Sequence, residues 1–200
     1  MTYTARAFSL PELDGLSPEQ IAVHLALYEG YVTHTNLILE KIAKLREEDP
    51  AGNAFLMNEL RRRLGFEFDG MRMHERYFEQ LEDGASAPTE GSALMEHAAK
   101  KYGDWDGYLA HLKQVAGTRG IGWTVTYFDP AADTLHTAWV DDHQLGQLSG
   151  LPIIFAMDMW EHAYMVDYVP KEKLSYVDAF LRNVNWKIAE ERMERAQAGV

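Results

Sequence analysis

Asp158 and His162 lie four positions apart, directly after an apolar stretch over 151–157 that predicts a buried strand. If the chain turns helically after that strand, the carboxylate and the imidazole can reach one point, as neighbours on one helix face do. A carboxylate oxygen and a neutral imidazole nitrogen together suit manganese, iron or zinc. A buried ion pair that caps a helix would give the same spacing, so this pair alone leaves a purely structural role open.

The composition restricts the chemistry further. The chain has 200 residues and no cysteine, so any transition metal must be held by nitrogen and oxygen ligands. The formal net charge of −12 argues against nucleic acid and anionic membrane surfaces as partners. The first residues lack the apolar core of a signal peptide, and no apolar run approaches the roughly 18 residues that cross a bilayer. We therefore expect a cytoplasmic protein with no membrane partner.

Helix signals dominate the first part of the chain. Ser17 and Pro18 predict a helix start, as N-cap and first helical residue, with Gln20 at the capping-box position. Apolar residues then recur at helical spacing through two long stretches that a short polar turn separates. Two long helices joined by a short turn form an antiparallel hairpin, so we expect a helical domain over residues 1–84.

The pattern changes after a polar linker over 82–91. Two short helices precede two strand-like segments that flank an Asp-Pro turn, and the strand over 151–157 follows. A single helix is predicted over about 171–195. The expected fold class is therefore α+β: a long α-helical hairpin followed by an α/β domain over 91–200, with a three-stranded antiparallel sheet.

The clearest resemblance to a known family lies in the string Asp158-Met159-Trp160-Glu161-His162-Ala163-Tyr164. It resembles the Asp-Val-Trp-Glu-His-Ala-Tyr signature of the iron/manganese superoxide dismutases, with Met in place of Val. Upstream, Gly120-Ile121-Gly122-Trp123 is similar to the family's Gly-Ser-Gly-Trp at the start of the first strand. Downstream, Asn183-Val184-Asn185-Trp186 is similar to its Val-Val-Asn-Trp. These motifs keep the family's order and spacing over about residues 100–190.

The N-terminal half resembles the family less closely. The string Met73-His74-Glu75-Arg76-Tyr77-Phe78 is similar to the family's Asn-His-x-x-Phe-Trp. Within residues 23–32 of the first helix only His24 remains of the family's several histidines, and it lies seven residues before Tyr31, whereas the family ligand lies eight before its tyrosine. At about 100° per residue, seven residues make nearly two turns, so His24 and Tyr31 share a helix face. His24 is therefore the ligand candidate; the alternative is a histidine on the polar face.

The resemblance implies one manganese or iron ion per subunit, held between the two domains by His24, His74, Asp158 and His162. It also implies catalytic roles for Tyr31, as the gateway residue, and for His143, in the loop after the second strand. Some family members place a histidine there against the metal-bound solvent, and others use a glutamine. Core packing is the alternative for Tyr31, and a surface position in an acidic loop is the alternative for His143.

The resemblance also implies roles around the ligands. Glu161 is expected to contact the partner's metal-binding histidine across a subunit interface, which predicts a homodimer or homotetramer. Tyr164 usually pairs with a first-helix histidine; Leu27 occupies the matching position here, so we expect that pair to be lost. Three aromatic residues are expected to surround the metal, although plain core packing would give the same pattern: Trp123, Trp160 and Tyr77.

The implied activity is superoxide dismutation, which converts the substrate superoxide into dioxygen and hydrogen peroxide. One alternative is a metal-binding but non-catalytic member of the fold, acting as a structural or interaction protein. Another is a mononuclear iron oxygenase, whose usual ligands are two histidines and one carboxylate. Three histidines and one aspartate favour the dismutase.

Overall fold

The computed structural model describes residues 2–199. Within that range it contains a helical hairpin, a second helical pair, a three-stranded sheet and two C-terminal helices. The helices are α1 (Pro18–Glu48), α2 (Ala54–Glu79), α3 (Ala93–Tyr102), α4 (Trp105–Ala116), α5 (Lys173–Asn183) and α6 (Trp186–Ala198). The strands are β1 (Gly122–Asp129), β2 (Thr134–Asp141) and β3 (Ile153–Asp158). The predicted α+β fold is confirmed. No helix within residues 2–199 is long and apolar enough to cross a membrane.

The start of α1 is only partly as predicted. The Ser17 hydroxyl accepts the backbone N–H of Gln20 at 3.1 Å, so Ser17 is the N-cap. The predicted capping box does not form, because the backbone N–H of Ser17 donates to Asp167 Oδ2 at 2.6 Å and not to the side chain of Gln20. The side chain of Gln20 turns away from the cap and is fully buried. Hydrogen bonds to the distant loop over 162–167 therefore replace the capping-box bond between the Gln20 side chain and the Ser17 N–H.

Helices α1 and α2 approach each other closely at Gly70. A Cβ built on Gly70 would lie 2.6 Å from Cδ1 of Tyr31, which no real side chain tolerates. Glycine inside a helix costs roughly 0.5–1 kcal/mol relative to alanine, and here it makes room for an aromatic ring. Helix α1 runs unbroken past His24 and Tyr31, so the two residues share a face as expected.

The sheet has the order β2-β1-β3, and both pairings of β1 are antiparallel. The first residues of β1 pair with the ends of both neighbours: Trp123 lies opposite Val140 on β2 and opposite Asp158 on β3. Strand β1 is buried along nearly its whole length. The pairing therefore holds Asp158, the last residue of β3, beside a buried indole.

The C-terminal helix predicted over 171–195 is in fact two helices, and that prediction is wrong. The chain is extended at Val184, with φ −66° and ψ 126°. Next to it, the backbone N–H of Asn185 donates to the carbonyl of Gln80 at 2.8 Å, and the N–H of Ser86 donates to the carbonyl of Val184 at 3.2 Å. These bonds to the segment after α2 replace the helical bonds that the local pattern favours.

Candidate metal centre

Four elements each bring one donor residue to a single buried point: His24 from α1, His74 from α2, Asp158 from the end of β3, and His162 from a 3₁₀ turn. Their donor atoms all lie within 4.8 Å of one another. Oδ2 of Asp158 lies 3.0 Å from Nε2 of His24 and 3.1 Å from Nε2 of His162. It lies 3.5 Å from Nε2 of His74. The predicted ligand set thus converges, between the helical hairpin and the sheet.

These separations fit a shared ion. Two ligand atoms bound at roughly 2.0–2.2 Å from one metal, about 90–120° apart, lie about 2.8–3.8 Å from each other. His24, His74 and Asp158 are fully buried, and unpaired charge there would be costly. Burial alone raises the pKa of Asp158, but His162 and His24 outweigh it and hold that pKa well below its usual range. An anionic oxygen among imidazoles is a donor set that suits manganese or iron.

Neighbouring groups orient the donors. The Nδ1–H of His74 donates to the carbonyl of Gly70 at 2.6 Å, which leaves the Nε2 lone pair directed into the site. The backbone N–H of Trp160 donates to Oδ1 of Asp158 at 2.8 Å, so Oδ2 is left for the cluster. Nε2 of His74 also lies 3.3 Å from Nε2 of His162. Two nitrogen lone pairs at that distance repel unless a proton or a cation lies between them.

Tyr31 and His143, predicted as catalytic, lie in one hydrogen-bond chain. Trp123 Nε1–H donates to Nδ1 of His143 at 3.0 Å, and Nε2 of His143 lies 2.7 Å from the Tyr31 hydroxyl. An indole nitrogen can only donate, so Nδ1 accepts and the ring proton of neutral His143 is on Nε2. Burial lowers the pKa of His143 to about 4, which keeps the ring neutral near pH 7. The Tyr31 oxygen therefore accepts from His143, and its own proton is available for another acceptor.

The aromatic residues predicted around the site lie close to its donors. Trp160 stacks on His143 with ring centroids 4.8 Å apart, and its Nε1–H donates to the carbonyl of Asp142 at 2.9 Å. Tyr77 is fully buried, 4.7 Å from the ring of His24. His143 is itself fully buried, so a surface position for it is wrong.

Glu161 and Tyr164 flank His162 along the same loop but differ in exposure. Glu161 is exposed and Tyr164 is buried, stacked on Tyr176 with ring centroids 5.2 Å apart. The side chain of His162 is 15% exposed, and within residues 2–199 no group accepts from its Nδ1. The outer side of this donor therefore faces solvent in the single chain.

Sequence reasoning missed three residues that contact the site. Phe66 lies against His143, with ring centroids 4.6 Å apart. The Tyr176 hydroxyl donates to the backbone carbonyl of Asp158 at 2.7 Å. Gln20 contacts the loop that carries His162. Only Gln20 had a usable signal, because it is a polar residue one helical turn before His24 on the same face.

Comparison with known proteins agrees with this centre. Residues 89–192 match the family described as iron/manganese superoxide dismutases, C-terminal domain. The superoxide dismutase [Fe] of Aquifex aeolicus is 35% identical over 189 residues, which cover 92% of this chain and 87% of that protein. The superoxide dismutase [Fe] of Sulfolobus acidocaldarius is 30% identical over 183 residues, 90% of this chain and 86% of that protein.

A manganese relative is equally similar. The superoxide dismutase [Mn] 2 of Halobacterium salinarum is 32% identical over 186 residues, which cover 89% of each chain. The relatives' names therefore include both iron and manganese, the two ions that the sequence predicted. From the matched family and these relatives, the chain belongs to the iron/manganese superoxide dismutase family, as its motifs predicted.

Proposed function

We propose that the chain disproportionates superoxide at one manganese or iron ion held by His24, His74, Asp158 and His162. The observation that carries this proposal is the convergence of these four donors on one buried point. When bound, the ion supplies a one-electron couple, so that two superoxide anions and two protons give one dioxygen and one hydrogen peroxide. The relatives are named superoxide dismutases, which does not favour the non-catalytic alternative.

Tyr31 and His143 are proposed to handle a proton. Burial raises the pKa of Tyr31, so its hydroxyl stays protonated at neutral pH. Because that oxygen accepts from Nε2 of His143 at 2.7 Å, its hydrogen is free to be donated towards the donor cluster. Trp123 holds the tautomer of His143 that makes this possible. The chain thus holds one proton at the Tyr31 oxygen, where peroxide formation needs it.

The aromatic side chains around the four donors are proposed to keep bulk water out of the site. Trp123 and Tyr77 are fully buried, and Trp160 covers His143. Because these rings exclude bulk water, the effective dielectric constant around the donors is low, and electrostatic interactions inside the site are stronger than in water. The side chain of Tyr31 is only partly buried, so we propose that small anions approach the site past it.

We also propose that two copies of the chain pair around Glu161, as a homodimer or within a homotetramer. Nδ1 of His162 has no acceptor within residues 2–199, and the exposed Glu161 carboxylate of a second copy would provide one. Apolar side chains near this loop are each more than a third exposed: Ile121, Met165, Val166 and Leu174. Light scattering should give a dimer or tetramer, and Glu161→Ala should shift it towards monomer. A wild-type monomer at micromolar concentration would contradict the proposal.

We further propose a domain division and a cellular location for this chain. The first is a division into a helical domain over 1–84 and an α/β domain over 91–200. Limited proteolysis that cuts first within 82–91 would support it, and first cleavage elsewhere would oppose it. The second is a cytoplasmic location, which subcellular fractionation can test.

The activity itself is tested by metal analysis together with a superoxide-consumption assay on the purified protein. We expect about one manganese or iron ion per chain, with activity lost in the chelated protein and restored by adding back the ion that the purified protein holds. Protein that holds its ion but consumes no superoxide would be the non-catalytic member of the fold. Protein that holds no ion would refute the proposed ligand set.

A further inference from the structure

Gln20 is a fully buried polar residue in the first turn of α1. Its side-chain amide makes two long-range hydrogen bonds to one loop. Nε2 donates to the backbone carbonyl of His162 at 2.7 Å, and Oε1 accepts the backbone N–H of Val166 at 2.9 Å. A buried amide that meets a carbonyl and an N–H of the same segment joins that segment firmly to its own helix.

The segment that Gln20 holds is the least regular part of the centre. His24 and His74 lie inside long helices, and Asp158 ends a paired strand, whereas His162 lies in a three-residue 3₁₀ turn. His162 is also the one donor of the four whose side chain is partly exposed, at 15%, whereas the other three are fully buried. Its position therefore depends on contacts made by the backbone around it. Gln20 lies one helical turn before His24 on the same face, so the two side chains keep a fixed relation.

We infer that Gln20 is a positioning residue, which fixes His162 relative to His24 and thereby governs how tightly the ion is held. The inference rests on the proposed function, because it requires His162 to be a ligand. A second bond supports it: the N–H of Ser17 donates to Asp167 Oδ2 at 2.6 Å, so the start of α1 holds the same loop again. Local backbone bonds shape the turn itself, since the N–H of Ala163 donates to the carbonyl of Trp160 at 3.0 Å and that of Met165 to the carbonyl of Glu161 at 2.8 Å. These bonds do not fix the turn relative to α1, whereas the bond from Gln20 to the His162 carbonyl does.

The test replaces Gln20 by methionine, which has similar size and no hydrogen-bonding amide. The matched control is Asn183→Leu. Asn183 is 5% exposed, its Oδ1 accepts the N–H of Asp14 at 2.9 Å, and its Nδ2 donates to the carbonyl of Asp14 at 2.8 Å. Asn183 therefore also joins a remote segment through one carbonyl and one N–H, but that segment carries no donor of the metal cluster.

Each protein is loaded with Mn²⁺, and its release into excess EDTA is timed, together with its electron paramagnetic resonance spectrum and its melting temperature. We expect Gln20→Met to release Mn²⁺ about tenfold faster or more, as for loss of a ligand-orienting partner, with an altered spectrum. Asn183→Leu should lower the melting temperature but keep the wild-type release rate and spectrum. This contrast separates positioning of the ligand from general loss of stability.

A second variant covers the case in which Gln20→Met does not fold. Gln20→Leu offers neither a donor to the His162 carbonyl nor an acceptor to the Val166 N–H, so it should also release Mn²⁺ faster. Wild-type release and an unchanged spectrum in either folded variant would overturn the inference. Wild-type protein that binds no Mn²⁺ or iron would refute the proposed function and this inference together. Wild-type protein that binds the ion while the variants match it would refute this inference alone.

Discussion

The two halves of the metal centre are built in different ways. His24 and His74 lie in the interiors of α1 and α2, where side-chain direction follows from helical periodicity. Asp158 and His162 lie at a strand end and in a 3₁₀ turn, where direction depends on individual bonds from Trp160 and Gln20. A regular helix tolerates sequence change around a ligand, whereas an irregular loop needs particular residues. The resemblance to the family is accordingly near-complete over 158–164 and sparse around His24.

The shorter spacing in α1 illustrates this tolerance. His24 lies seven residues before Tyr31 instead of the family's eight, yet both side chains reach the centre from an unbroken helix. Seven residues are close to two helical turns, so no bulge is needed to direct both inward. A one-residue insertion or deletion between Asp158 and His162 would fall outside any regular helix, so helical periodicity could not keep both side chains directed at the site. We expect it to displace a ligand.

The largest effect should follow from loss of the anionic donor. Asp158→Ala leaves three imidazoles and no anionic donor in a largely buried site, so the charge of a divalent or trivalent ion is not offset there. We expect metal content to fall below about a tenth of an ion per chain, because every donor lost weakens the site steeply. Elemental analysis checks this. Asp178→Ala, at an exposed pair with Lys113, is the control and should keep full occupancy. Full occupancy in Asp158→Ala would place the ion elsewhere.

His143→Ala should separate proton handling from metal binding. The change removes the donor to the Tyr31 oxygen and the acceptor of the Trp123 indole, but no atom of the cluster. We expect the ion to stay bound while turnover falls by about tenfold or more, with a shift in the metal's redox potential. Steady-state kinetics and potentiometric titration measure both.

His143→Gln is the matched variant for that experiment. A glutamine can accept from Trp123 with its carbonyl oxygen and donate to Tyr31 with its amide nitrogen. It should therefore recover much of the turnover that His143→Ala loses. Wild-type turnover in His143→Ala with unchanged metal content would show that the proton reaches the site by another route.

Paired glycine substitutions test the helical half. Gly70→Ala places a methyl group 2.6 Å from the Tyr31 ring, so we expect overpacking to cost about 1–3 kcal/mol of unfolding free energy. Gly30→Ala, in α1 with no atom within 4 Å of the added Cβ, should instead stabilise by about 0.5–1 kcal/mol. Denaturant unfolding of the metal-free proteins measures both. Equal effects of the two substitutions would show that Gly70 is not needed for the approach of Tyr31.

Local sequence patterns predict most of the elements because periodicity is read within a few residues, and the resemblance to the family, carried by short motifs, implies the four donors. Local patterns fail where distant residues decide the backbone. The helix break at 184–185 depends on bonds such as that from Ser86 Oγ to Asn185 Oδ1, between residues 99 positions apart. Gln20 likewise looks like half of a capping box until His162, 142 positions away, is brought beside it. The sequence also predicted His143 near the site without revealing that Trp123 selects its tautomer.

The smallest predicted effect is on melting temperature, and it follows from loss of the ion pairs that join α2 to α6. Burial would raise the pKa of Glu79, but Arg192, Arg76 and Arg6 outweigh it and lower that pKa below its usual value. The unfolded chain therefore binds this proton more readily than the folded one, so the carboxylate stabilises the fold at neutral pH. That contribution is fully present above the unfolded pKa of about 4.3 and is lost as pH falls through the lower folded value.

Glu79→Gln should therefore lower the melting temperature near pH 7, and the difference from wild type should shrink as pH falls below about 4. Buried Arg192, whose pKa burial lowers to about 10, stays charged across this range and loses its partner at 2.7 Å in the variant. Glu59→Gln, at an exposed pair with Arg62, is the control and should change little at any pH, because exposed ion pairs contribute little. Melting curves from pH 3 to pH 8, roughly spanning the titration of a carboxyl group, provide the measurement. A difference between Glu79→Gln and wild type that is constant over this range would mean that Glu79 contributes by packing rather than by charge. Helices α2 and α6 would then be held together by side-chain packing, as α1 and α2 are at the Tyr31 ring, rather than by particular polar contacts such as those that hold the loop of His162.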